Sequence, residues 1–249
     1  MDKSRYLPVS WPKDNQAQLA NVHALTTLKS GGVSTGDFSE FNLAAHVGDE
    51  VASVEINRKK LCDDLHLETE PVWLEQVHSN KVICADEKKP TPADASFTQS
   101  KGVVCAVLTA DCLPVFFCNQ SGTEVAVAHA GWRGLHAGII SKTVQAMDSS
   151  ADEILVNLGP AIGPQSFEVG NEVFQAFVDN NAENTGAFVA TSKDHYLCDL
   201  YRLARIELQS SGVSRISGGE YCTYRDHEKF YSFRRQANTG RMASLIWLS

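Results

Sequence analysis

The chain has 249 residues, with 22 Lys and Arg against 30 Asp and Glu, for a formal charge of −8. A composition of 43% hydrophobic and 21% charged residues is ordinary for a globular protein and excludes a disordered chain. The acidic balance excludes a general binder of nucleic acid or of an anionic membrane, although single arginines remain able to meet one phosphate.

In chain order, residues 1–20, with Pro8 and Pro12, read as an irregular lead-in, and Ser30–Asp37 as a loop dense in turn formers. Apolar residues at Val51, Val54, Leu61 and Leu65 predict an amphipathic helix over 51–65. Val72–His78 reads as a strand, and Lys81–Ala85 as its hairpin partner across a Ser79-Asn80 turn. Gly102–Thr109 is almost unbroken apolar sequence, as expected of a strand covered on both faces. Pro114 follows, then strands are expected at Val115–Cys118 and Glu124–Ala128. A helix is expected through Leu135, Ile139, Ile140, Val144 and Met147, and a strand over Ile154–Leu158 stopping at Gly159-Pro160. Two further helices are predicted, Asn171–Val178 and Leu200–Gln209, the second closed by Gly212. Tyr221–Arg225, Lys229–Phe233 and Met242–Leu248 read as closing strands. This order predicts an α/β sandwich with a mixed sheet, a single domain over 1–249, in preference to a regular Rossmann domain.

No apolar run approaches the roughly 20 residues that span a bilayer, and Met1–Pro8 lacks the apolar segment of a secretory signal. Seven scattered cysteines, without a Cys-x-x-Cys, indicate neither a disulfide framework nor a redox pair. A cytoplasmic protein is expected.

Chemistry is to be sought where polar residues interrupt apolar runs. His78 ends the run Trp73–Val77, Cys112 follows the run ending at Asp111, and His129 follows Val125–Ala128. Strand ends are where α/β sheets commonly place their sites. Two His and one Cys form a recognised zinc set, and three protein ligands leave a fourth position open for water or substrate. Taken singly, a Cys is more often an inert buried thiol and a His a hydrogen-bonded structural residue, and Asp111 serves equally as a cap for the turn before Pro114. Gly131-Trp132-Arg133-Gly134 reads either as a tight strand-to-helix turn or as an anion cradle. Arg234, Arg235 and Arg241 fit phosphate contacts or a solvated basic face, and His46 is a loop candidate for the site. No dinucleotide or phosphate-loop glycine motif is present, nor the zinc base-deaminase signature. A multicopper oxidase gathers paired histidines around several coppers. Eight scattered His, with no His-x-His and no His-Cys-His triplet, do not supply them, so copper is less expected than zinc.

Leu74–His78, Thr109–Pro114, Ala128–Gly134, Leu158–Pro164 and Phe233–Arg235 with Thr239–Arg241 resemble the bacterial purine nucleoside phosphorylase family with the so-called laccase domain. Its members have also been labelled polyphenol oxidase and peptidoglycan editing factor. The resemblance runs from about Gly31 to the C-terminus. It implies an α/β sandwich similar to that of cysteine deamidase toxins, with zinc held by His78, Cys112 and His129. It also implies phosphorolysis of adenosine, inosine, guanosine and methylthioadenosine to free base and ribose 1-phosphate, with adenosine deamination as a second reaction. On this reading Arg58, Arg133 and the Gly131–Gly134 backbone are candidates for holding phosphate, and Asp111 or His46 for moving protons. The expected partners are purine nucleosides and phosphate, with no nucleic acid and no membrane, for a monomer or small homo-oligomer. Two other classes stay open: a metal-free cysteine hydrolase acting on an amide or muropeptide precursor with Cys112 as nucleophile and His129 as base, and a non-catalytic protein that binds nucleotides or peptidoglycan precursors.

Overall fold

Alternation along the strands assigns every layer of the molecule. A computed structural model describes residues 5–12, 19–87 and 92–249. The elements run β1 (Tyr6–Pro8), β2 (Val22–Thr27), α1 (Val51–Leu65), β3 (Val72–Trp73), β4 (Val82–Cys84), β5 (Ala95–Thr98), β6 (Val104–Thr109), β7 (Leu113–Asn119) and β8 (Val125–Ala130). They continue with α2 (Trp132–His136), α3 (Ile139–Ala146), β9 (Ile154–Leu158), β10 (Glu168–Gly170), α4 (Asn171–Asn180), β11 (Phe188–Ser192), β12 (His195–Cys198), α5 (Leu200–Ser210), β13 (Arg215–Gly218) and β14 (Met242–Leu248). A five-stranded mixed sheet has the order β1-β2-β14-β6-β3, and a six-stranded mixed sheet the order β13-β9-β7-β8-β5-β4. Three short strands, β10-β12-β11, form a small antiparallel sheet beside them. The mixed α/β architecture matches the sequence reading.

Successive strand residues face opposite sides, and each side here has its own partner. Phe116 and Cys118 of β7, with Val125 and Val127 of β8, meet Cys105, Val107, Ile246 and Leu248 across the space between the two large sheets. Leu113, Val115 and Phe117 point the other way, to α2–α5 through Leu135, Ile140, Val173, Phe177, Leu203 and Leu208. The five-stranded sheet turns Val104, Ala106, Leu108 and Leu245 outward to Leu61 and Leu65 of α1 and to Phe41 and Leu43. Both β6 and β7 are buried at every residue, which is why their sequences do not alternate.

Several expectations are corrected. The lead-in is not wholly irregular, because Tyr6–Pro8 pairs antiparallel with Leu25–Thr27; its residues 1–4 and 13–18 lie outside the described residues. Only Val72 and Trp73 of the expected 72–78 strand join the ladder, parallel to β6. The 81–85 stretch is not their hairpin partner, since β4 pairs parallel with β5 in the other sheet. The chain therefore crosses from sheet to sheet through His78. It crosses again at Ala110–Cys112, between β6 and β7. The helix expected through Leu135–Met147 is two helices, broken at Gly138, whose φ of +84° favours glycine. Residues 221–225 and 229–233 form turns, not strands: Arg235 donates to the carbonyls of Thr223, Tyr224 and Phe230, which a ladder would need.

Candidate metal centre between two cavities

The two crossings and the end of β8 meet at one point. His129 shares the inter-sheet face of β8 with Val125 and Val127, so the buried core of the sandwich ends on its imidazole. Cys112 is half-buried in the β6–β7 crossing, and His78 is exposed in the β3–β4 crossing. Their ligand atoms all lie within 4.8 Å of one another, the group of three such side chains found converging among the described residues. The two imidazoles meet edge to face, with centroids 4.9 Å apart.

Electrostatics in the cluster favour a thiolate. Burial pushes the Cys112 thiol up, but the His129 charge and hydrogen bonds from His129 and His78 outweigh it and bring Cys112 to about 6. Burial likewise opposes charge on His129. The facing Cys112 and the bond to Asp94 prevail, lifting His129 to about 9. Asp94 is fully buried, which would raise its carboxyl, yet the bonds from His129 and Ser79 hold it near 2. As an ionised acceptor, Asp94 Oδ1 accepts a hydrogen bond from His129 Nδ1–H at 2.8 Å and leaves Nε2 for Cys112 or a metal. This residue carries no signal in the sequence beyond that of a turn former before a short strand. The donor set fits a thiophilic divalent ion: a thiolate-prone Cys and two imidazoles, one of them oriented by a carboxylate.

Gly131 clears space for the cluster. A Cβ on it would stand 2.8 Å from Cys112 Sγ and 3.4 Å from His78 Cδ2. It caps α2, a helix of only five residues.

Two cavities share the His78–Cys112 rim. One, of about 250 Å³, is lined by Trp132, Phe167, Ile162, Leu200, Asp111, Arg133, Phe233 and Arg234. The other, of about 310 Å³, adds His129 and is lined by His46, Gln76, Leu108, Thr109, Phe233 and Arg241. Ala110 and the half-exposed Phe233 line both; the first sets aromatic walls beside Arg133 and Arg234, and the second sets His46, Gln76 and Arg241 around His129.

The structure separates residues that the sequence reading grouped. Arg133 lies over the Trp132 ring at 4.3 Å, on the aromatic side. Arg58 stacks on Trp73 at 4.4 Å and donates to the Leu43 carbonyl, outside both linings, although partial desolvation and the charges of Arg241 and Arg58 together lower His46. Asp111, at φ +86°, accepts Thr223 Oγ1 at 2.6 Å, Ser232 Oγ at 3.0 Å and the Arg234 amide at 2.7 Å. Arg241 is anchored through its own loop: its guanidinium donates to Thr239 and Gly240 carbonyls and its amide to Asn42 Oδ1. Gln76, unmarked in the sequence, exchanges two hydrogen bonds with the Leu108 backbone, continuing the β3–β6 pairing with a side chain.

No helix of the described residues is long and apolar enough to cross a membrane. Residues 23–249 match the family model described as multi-copper polyphenol oxidoreductase laccase. A purine nucleoside phosphorylase of Pseudomonas aeruginosa is 49% identical over 244 residues, covering 98% of each chain. The Escherichia coli purine nucleoside phosphorylase YfiH is 48% identical, with 98% of this chain and 99% of that one covered. Among solved structures, a Neisseria meningitidis protein superposes with a TM-score of 0.93 at 43% identity, covering 99% of this chain and 100% of that one. YlmD of Geobacillus stearothermophilus gives 0.86 at 32% identity, covering 96% of each. With the sandwich, the His-Cys-His cluster and these whole-length matches in agreement, the chain belongs to the laccase-domain family whose relatives bear the name purine nucleoside phosphorylase.

Proposed function

We propose that the protein is a zinc-dependent purine nucleoside phosphorylase. It would convert adenosine, inosine, guanosine and methylthioadenosine to base and ribose 1-phosphate, with deamination of adenosine to inosine as a second reaction. The observation that carries this reading is the convergence of His78, Cys112 and His129 where two cavities meet, one with aromatic walls and both with arginine in their lining. Relatives that cover the whole chain and bear the phosphorylase name support it.

His78, Cys112 and His129 would hold the zinc, which when bound supplies Lewis acidity beside the substrate. The aromatic cavity suits a purine, with Trp132, Phe167 and Phe233 as apolar walls. The second cavity suits phosphate, with Arg241 and His46 on its wall and the Arg58 charge behind them. In phosphorolysis a phosphate oxygen bonds to C1′ as the C1′–N9 bond breaks; the electron pair passes to the purine, which takes up a proton. His46, whose pKa is lowered by its surroundings, is the proposed proton carrier on the phosphate side. Asp111 already accepts three hydrogen bonds and is assigned to holding the segment that carries Phe233 and Arg234. Arg133 stays on the base side of the rim.

Metal content by mass spectrometry, paired with adenosine turnover with and without phosphate, tests the reading. About one zinc per chain, phosphate-dependent adenine release, and loss of both in Cys112→Ala are expected. Replacing Arg241 by Met should raise the apparent KM for phosphate and leave zinc content unchanged.

One observation favours a second reading. Cys112, His129 and Asp94 also have the order of nucleophile, base and orienting carboxylate that a cysteine hydrolase uses. His78 is superfluous in such a triad and accounted for in a metal site. Iodoacetamide separates the two: rapid alkylation of Cys112 in protein as isolated, without purine turnover, would favour the hydrolase.

A further inference from the structure

Both imidazoles of the centre depend on one side chain that is not a ligand. Asp94 precedes β5 and is completely buried. Its Oδ1 accepts His129 Nδ1 at 2.8 Å and the His78 amide at 3.0 Å. Its Oδ2 accepts the Ser79 amide at 2.6 Å, the Ser79 hydroxyl at 2.8 Å and the Val77 amide at 3.3 Å. The backbone closes the same joint: the Asp94 carbonyl accepts the His129 amide at 2.7 Å, and the Asp94 amide donates to the Lys81 carbonyl at 3.0 Å.

We propose that Asp94 is the positioning residue that orders both histidines of the metal centre at once. This rests on the metal reading above. For His129 the effect is on the ring: with Nδ1–H donating its hydrogen bond to Asp94, the Nε2 lone pair is aimed at the metal position. For His78 the effect is on the backbone. Its φ of +58° is a left-handed conformation that a non-glycine residue keeps only when its surroundings dictate it. Three successive amides, from Val77, His78 and Ser79, closing around one carboxylate supply that constraint, and no contact to the His78 ring is needed. Asp94 thus fixes the separation between a ligand on β8 and a ligand on the β3–β4 crossing, two segments that no ladder joins directly.

The test compares wild type with Asp94→Asn by zinc affinity, from chelator competition, and by the visible spectrum of the cobalt(II)-substituted protein. Expected is a fall in affinity of about 10–100-fold. The ligand-field bands should change while the Cys112 thiolate-to-cobalt charge-transfer band persists, in a variant whose circular dichroism matches wild type. A folded Asp94→Asn with wild-type affinity and an unchanged cobalt spectrum overturns the proposal. Should that variant fail to fold, a nitrogen–proton correlation spectrum of the wild-type zinc protein decides. His129 protonated at Nδ1 supports the assignment, and His129 protonated at Nε2 overturns it. A wild-type protein that takes up neither zinc nor cobalt overturns the metal reading itself, and the proposal with it.

Discussion

Gly131 tolerates no side chain because the space a Cβ would fill belongs to Cys112 Sγ, at 2.8 Å, and to the edge of His78. Its own backbone, φ −67° and ψ 166°, would accept alanine without strain, so the only obstacle is the cluster itself. Gly131→Ala should therefore lose metal, measured as zinc per chain, while in EDTA its unfolding midpoint stays close to that of wild type in EDTA. Asp111→Ala should do the reverse. It leaves the buried Thr223 and Ser232 hydroxyls and the Arg234 amide without an acceptor, a cost of roughly 3 kcal/mol in urea denaturation. Zinc content of the folded fraction should persist. The three residues proposed as ligands were legible because each is a polar group breaking an apolar run. Asp94 was not. A lone Asp among Pro92, Ala93 and Ala95 looks like any turn former, and its importance is created by the 77–79 backbone folding onto it from the other crossing.

Elements were legible where one repeating pattern decided them. The apolar spacing of α1 gives its bounds, 51–65, because the helix packs one stripe on the sheet. The same helix hides an exception to its own pattern. Asn57 is fully buried and ties down the loop that carries His46, accepting the Val33 amide and donating to Ser34 Oγ and the Glu40 and Asn42 carbonyls. Asn57→Ala should lower stability by about 3 kcal/mol and open residues 30–49 to limited proteolysis before the rest of the chain. Pairing partners were less legible than the strands themselves. The Ser79-Asn80 turn looks like a hairpin, but Asp94 draws the 77–79 amides away from a hairpin closure and sends β4 to the other sheet. The aromatic residues of 221–233 suggest strands, yet Phe230 and Tyr231 are buried beneath the site loop while Arg235 consumes the nearby carbonyls. Short strands β10–β12 have too few residues for alternation to stand out.

At the scale of the whole molecule, folding is linked to pH and, on the proposed function, to metal. A metal that binds only the assembled cluster adds about 2.7 kcal/mol when present at a hundredfold its Kd. For a chain of this size that corresponds to a rise of about 5–10 °C in Tm, to be read by calorimetry with zinc against EDTA. Away from the centre, Glu207 joins α5 to α3, accepting the Ser141 amide and hydroxyl. Burial raises its carboxyl from 4.5 to about 7, against the opposing pull of the Ser141 bonds. The folded state therefore holds a proton that the unfolded state has released. Stability is full below about 4.5 and declines as pH rises through about 7. Glu207→Gln should match wild type at acid pH and exceed it at pH above 8 by up to about 3 kcal/mol; paired urea titrations check this. The position of β14 has a consequence for biosynthesis. This last strand lies between β2 and β6, forming the centre of its sheet from residues 242–248. A nascent chain emerging from the ribosome thus has Leu25 and Val107 in place long before the strand that joins them exists. Until then both present open edges, the template on which neighbouring chains aggregate. A stop codon just before Met242 would leave the ligand residues untouched and yet divide the sheet, yielding a product that chaperones retain and proteases clear.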